Sequence, residues 1–171
     1  MVYKKYLKEK LNKFKIFCDM DGVLTDFENQ AKKVHPDWIK IHKKDPDMAW
    51  KMLNEIGFSI FWSTMMWMSD GRKLWEFIKP YNPVILTAIP SLNMDKSKSG
   101  KIEWIIKHLG WEYVNSAKIV RAVEKQKYAK PNYILIDDKD KNIRQWRNMN
   151  GVGILHKSAY KTINELKDLI L

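Results

Sequence analysis

Two short apolar runs in this chain end on an aspartate, and this constrains the fold more than any other feature. "FKIFC" (14–18) runs into Asp19, and "NYILI" (132–136) runs into Asp137. Three further runs share their character: "PVILTA" (83–88), "AKIVRA" (117–122, the weakest) and "VGILH" (152–156). Stretches of this length, rich in Val, Ile and Leu, suit strands buried on both faces. A buried strand that stops on a carboxylate is costly unless a cation shares the site.

Helical patterns lie between the runs. "SGKIEWIIKHLG" (99–110) puts Ile102, Ile105, Ile106 and Leu109 on one face and stops at Gly110. "KDKNIRQWRNMNG" (139–151) carries Ile143, Trp146 and Met149 in register before Gly151. "SAYKTINELKDLIL" (158–171) opens on Ser158, a good N-cap, and carries Ile163, Leu166 and Ile170. Strands alternating with such helices predict an α/β fold with a doubly wound, parallel, five-stranded sheet.

The rhythm breaks between Asp26 and Pro83, where no strand pattern is found. "DPDMAWKMLNEIG" (45–57) has Asp45 as N-cap, Pro46 at the first helical position and Gly57 as the stop. "DGRKLWEFIKP" (70–80) reads as another helix, ended by Pro80. The expected organisation is a core of residues 1–27 and 81–171 with a small helical cap, 28–80, inserted after the first strand. The cap holds five of the eight tryptophans and five of the nine methionines, which is unusually aromatic for a surface excursion. Trp38, Trp50, Trp67 and Trp75 fall at helical spacing and read as core.

Composition narrows the class. The chain has 171 residues and 45% hydrophobic content, enough for one domain with a core. No apolar stretch is long enough to span a membrane. The opening "MVYKKYLKEKLNKFKIF" is basic without an apolar core or small-residue cleavage site, so no secretory signal is expected. A single cysteine, Cys18, reads as a buried strand residue in a reducing compartment, and the expected location is the cytoplasm. The net charge of +11, from 31 basic and 20 acidic residues, favours phosphorylated or polyanionic ligands. The lysines are nevertheless spread along the chain, as on a solvated surface. His35, His42, His108 and His156 have no metal-ligand spacing.

In a doubly wound sheet, ligands bind beyond the carboxyl ends of the strands where the strand order reverses. With the first strand central and the second and fourth beside it, Asp19, Thr87 and Asp137 converge there. The loop after the first strand adds Asp21, and Asp138 follows Asp137. Clustered carboxylates repel one another without a counter-ion. A hard cation such as Mg²⁺ resolves this and brings a phosphate oxygen with it. One aspartate can attack phosphorus, and an acid two residues on can protonate the leaving oxygen. Thr87 can bind a phosphoryl oxygen, a lysine can neutralise it, and Gly22 permits the tight turn after the acids. Each feature alone has an ordinary structural reading, and the conjunction at three strand ends carries the argument. The segment from Asp138 is no calcium loop, since its sixth and twelfth positions are Ile143 and Met149.

"DMDGVLTD" (19–26), "VILTA" (84–88) and "YILIDDKDKN" (133–142) together resemble the haloacid dehalogenase superfamily of phosphotransferases. The resemblance implies Asp19 as nucleophile, Asp21 as general acid/base and Thr87 as phosphate-binding hydroxyl. It implies Mg²⁺ held by Asp19, the Asp21 backbone carbonyl, and Asp137 or Asp138. More narrowly, "CDMDGVLTDF", the helical insert, "KIEWIIKHLG" and "ILIDDKDKNIRQW" resemble the 5′(3′)-deoxyribonucleotidase family, phage-type members above all. That likeness implies Phe27 against the nucleobase, Phe61 and Trp62 lining the base pocket, and Lys101 on phosphate. The third-motif lysine is Lys127 by count, or Lys125 if the following loop is longer. Ala88 stands where relatives often place a phosphate-binding serine.

The expected activity is Mg²⁺-dependent hydrolysis of (deoxy)nucleoside 5′- or 3′-monophosphates through an aspartyl-phosphate. The alternatives are a 3′-phosphatase on DNA or RNA ends, a small-metabolite phosphatase, and a non-catalytic nucleic-acid-binding module. The expected partner is a small nucleotide, with nucleic-acid ends as the alternative and no membrane. A dimer is compatible with the sequence.

Overall fold

A computed structural model describes residues 13–169. The sheet is five-stranded and parallel, in the order β3-β2-β1-β4-β5. Its strands are β1 (Lys15–Cys18), β2 (Val84–Ala88), β3 (Lys118–Val120), β4 (Tyr133–Asp137) and β5 (Val152–Leu155). Phe17 pairs with Val84 on one side and with Leu135 on the other, which makes β1 central. This is the predicted fold class.

Strand residues alternate between two apolar clusters, as the period-2 geometry of a strand requires. Ile16, Cys18, Ile85, Ile134, Ile136 and Ile154 face the larger cluster, and Phe17, Val84, Leu86 and Leu135 face the smaller one. The insert contributes α1 (Phe27–Val34), α2 (Trp38–Lys44), α3 (Pro46–Ile56), α4 (Phe58–Ser63) and α5 (Gly71–Ile78). Its buried side chains, with those of α6 (Met94–His108) and α8 (Ala159–Asp168), form the larger cluster. Ile143 and Trp146 of α7 (Asp140–Asn148) cover the other face. Asp45 caps α3 by accepting from Met48 N, and Ser158 caps α8 by accepting from Lys161 N.

Two helix readings change. In α6 half of the predicted stripe is buried: Ile105 and Leu109 are, but Ile106 is 37% exposed and Ile102 half-buried, while Ser97, Gly100, Lys101 and Trp104 are buried beside Ile105. The face turns because Lys101 finds polar partners inside, described below. Met149 lies beyond the end of α7 and is 49% exposed. Ile170 and the basic opening stretch up to residue 12 lie outside the described residues. Among the described residues no helix is long and apolar enough to cross a membrane.

Candidate active site

Asp19 follows the last residue of β1 and is 5% exposed. Its backbone N donates to Ile136 O at 2.9 Å, which continues the β1–β4 ladder one residue past the strand. The chain then coils on itself: the Met20 carbonyl accepts from the backbone N of Val23, Leu24 and Thr25 at 3.1, 2.7 and 2.8 Å. Gly22, at φ +77°, makes this turn possible and brings Asp21 back to the rim. Met20 N donates to Asp19 Oδ1 at 2.8 Å, and Thr25 Oγ1 donates to Asp21 Oδ1 at 3.0 Å.

Two buried lysines organise the carboxylates. Lys125, in the 3₁₀ turn Ala122–Tyr128, places Nζ 2.8 Å from Asp19 Oδ2 and 2.7 Å from Asp137 Oδ2. Burial alone would pull its pKa down, but the two carboxylates hold it above the ordinary lysine value. One ammonium shared by two carboxylates leaves an excess negative charge. Burial, with Asp19 beside it, accordingly raises Asp137 to about 7. Lys101, fully buried on α6, donates to Asp21 Oδ2 at 2.5 Å and to Thr87 Oγ1 at 2.8 Å. Burial lowers Lys101 and raises Asp21, in each case against the pull of the other.

Asp137 is held from three sides. Besides Lys125, Asn142 Nδ2 lies 3.0 Å from both of its oxygens, and Lys139 N donates to Oδ1 at 2.9 Å. Asp138 Oδ2 pairs with Lys139 Nζ at 2.7 Å, while its buried Oδ1 has no partner among the described residues. Burial, then Asp19, raises Asp138. One carboxylate oxygen each from Asp19, Asp137 and Asp138 falls within 4.8 Å of the others. An all-oxygen set with one orphaned buried oxygen fits a hard divalent cation such as Mg²⁺.

The structure thus brings together Asp19, Asp21, Thr87, Lys101, Lys125, Asp137 and Asp138. It separates the two candidate lysines, since Lys127 points outward to Glu124 at 3.1 Å with its side chain 69% exposed. The 3₁₀ turn explains this: neighbours two apart there face different ways, and Lys125 is the inward one. Ala88 closes β2 beside Thr87. Phe61 and Trp62 are each 1% exposed. Phe27 stacks on Trp62 at 5.5 Å and packs edge-on against Phe61 and Trp38. One open cleft, about 230 Å³, lies beside the β2 end and is lined by Trp50, Ile89, Pro90, Arg121 and neighbours; a larger one, about 450 Å³, is lined by Asp26, Asn29, Gln30, Lys32, Lys33 and Met66. Asn142 and Lys139 carry no sequence expectation. A polar residue in the first turn of α7, one helical turn past the acidic pair, was the available signal for Asn142.

No family model matches the sequence, and no curated protein matches it. Among solved structures the chain is similar to a hydrolase from Streptococcus pneumoniae TIGR4, at a TM-score of 0.53 and 11% identity, covering 90% of this chain and 97% of that one. At that identity the likeness is one of fold.

Proposed function

We propose that the chain is a Mg²⁺-dependent phosphomonoesterase of the haloacid dehalogenase type, acting on (deoxy)nucleoside 5′- or 3′-monophosphates. The observation that carries this reading is the convergence of Asp19, Asp137 and Asp138 within 4.8 Å at the rim of a parallel sheet. The buried Lys101–Thr87 pair beside it supports a phosphate subsite.

Asp19 attacks phosphorus and the ester P–O bond breaks. Asp21, raised by burial, gives its proton to the departing alkoxide. The carboxylate left on Asp21 then takes a proton from water, which attacks the aspartyl-phosphate and frees phosphate. Thr87 and Lys101 hold the phosphoryl oxygens, and Lys125 fixes Asp19. A cation such as Mg²⁺ would be held by Asp19, Asp137 and Asp138 and would supply charge neutralisation for the transferring group. We assign the leaving group to the cleft beside Trp50 and Arg121, and residues 28–80 serve as the cap that keeps bulk water from the intermediate. Trp50 is the aromatic wall open to a base there, whereas Phe61 and Trp62 are buried. A single buried cysteine suits work in the cytoplasm.

The net charge of +11 favours a second reading, a 3′-phosphatase on nucleic-acid ends. A phosphate-release screen tests both, across nucleoside monophosphates, 3′-phosphorylated oligonucleotides and sugar phosphates, with and without Mg²⁺. Metal-dependent release from mononucleotides is the expected result. Release confined to oligonucleotides and steeply inhibited by salt would favour the second reading. No release from any ester would end both.

A further inference from the structure

Trp62 is the buried tryptophan with an unusual hydrogen-bond account. Trp38, Trp104 and Trp146 each donate their indole N–H to a backbone carbonyl, at 2.9, 2.9 and 3.0 Å. Trp62 Nε1 is buried and has no partner among the described residues. What the ring has instead is an ammonium: Lys101 Nζ lies 4.1 Å from its centroid. An indole that forgoes its hydrogen bond to present its π-face to a desolvated cation is held for that cation.

The helices are arranged to allow it. Gly100, immediately before Lys101 on α6, lets α4 approach closely. A Cβ at that position would lie 2.9 Å from Trp62 Cβ and would collide with Ser59 O. The missing side chain thus sets the indole over the neighbouring lysine. Phe27 stacks on the same indole at 5.5 Å and 24°, and the ring is 1% exposed, leaving no open face for a substrate base. The same ammonium reaches Asp21 and Thr87.

We infer that Trp62 is a positioning residue: its indole face fixes the Lys101 ammonium between Asp21 and Thr87. It is not a surface on which a substrate base stacks. The inference rests on the phosphatase reading only for its kinetic consequence, and the contact itself is independent of any activity. Without the indole, a long flexible side chain is left to choose among rotamers at the point where charge must be neutralised.

Two measurements test this. The first compares wild type, Trp62→Leu and Trp62→Phe on a nucleoside monophosphate and on 4-nitrophenyl phosphate, which has no base. A positioning role predicts that Trp62→Leu lowers kcat on both substrates alike, by roughly ten- to a hundredfold. Trp62→Phe, which keeps a π-face, should restore most of it. A KM increase on the nucleotide alone, with 4-nitrophenyl phosphate unaffected, would make Trp62 a base stacker and overturn the inference. The second is NMR of protein carrying ¹³C-lysine, with Lys101 assigned through Lys101→Arg. Its ε-methylene protons should be shifted upfield by the indole ring current. An ordinary lysine shift in wild type overturns the inference even if Trp62→Leu fails to fold. If wild type hydrolyses neither ester, the phosphatase reading falls, and the ε-methylene shift alone decides the role of Trp62.

Discussion

Gly22 and Asp138 meet so closely that a Cβ on the glycine would lie 2.5 Å from Asp138 Oδ2. The turn after β1 and the acid after β4 are therefore fitted to each other, and φ at Gly22 is +77°. Gly22→Ala should cost about 1–3 kcal/mol in backbone strain and push the Asp138 carboxylate out of the acidic cluster. Weaker Mg²⁺ binding by titration calorimetry, alongside a lower melting temperature, is expected. Unchanged Mg²⁺ affinity would remove Asp138 from the set proposed to hold the ion.

Lys125 and Lys127 should separate sharply on substitution. Lys125→Met keeps the stem but leaves Asp19 and Asp137 facing each other without their shared ammonium. Breaking a buried pair this way costs about 3–5 kcal/mol, and added Mg²⁺ should recover part of it. Lys127→Met removes only an exposed contact to Glu124 and should leave both melting temperature and turnover as they were. Equal effects from the two variants in urea denaturation would contradict the assigned geometry.

The acidic cluster of the metal-free protein should contribute less stability as pH rises. Burial and Asp19 raise Asp137 from 3.8 to about 7. The folded state therefore binds more protons than the unfolded state between those values, and stability falls through that window. Asp138 and Asp21 are also raised and act in the same sense. The Lys125 contribution is fully present below the ordinary lysine value of 10.5, so it is constant across the window. Burial lowers His42, His108 and His156, which act in the opposite sense, so the decline from about pH 4 to about pH 7 is read as the difference between the chelator melting curves of wild type and Asp137→Asn. Mg²⁺, which needs ionised ligands, should raise the melting temperature more at the alkaline end than at the acid end. A wild-type curve that climbs relative to Asp137→Asn over this range would refute the shared-lysine picture.

Asp19→Asn should abolish turnover, by about 10³-fold or more, and leave the fold intact. The amide has the same shape, and Lys125 keeps Asp137 as a partner. The substitution also removes one of the charges that raise Asp137, so the pH-dependent decline should become shallower. Phosphate release at near wild-type rate would exclude Asp19 as nucleophile.

The sheet was readable because its strands are buried on both faces and announce themselves as short apolar runs. The placing of Asp19, Thr87 and Asp137 at one rim then followed from strand order. What the pattern could not reveal was the inward turn of Lys101. An apolar stripe through Ile102 and Ile106 is the natural buried face of α6, and only the tertiary partners Asp21, Thr87 and Trp62 make a buried lysine the better solution. Counting residues favoured Lys127 for the same reason, since linear spacing does not register the 3₁₀ turn that points Lys125 inward. Phe61 and Trp62 were legible as insert aromatics, but their burial depends on how tightly α4 lies on α6 across Gly100.

A single apolar cluster extends from Ile16 and Cys18 in β1, through Trp104, to Leu53, Phe58 and Phe61 in the insert. A hinge that swung the insert away as a rigid body would lay that oil open to water, at about 25 cal/mol for each Å² exposed.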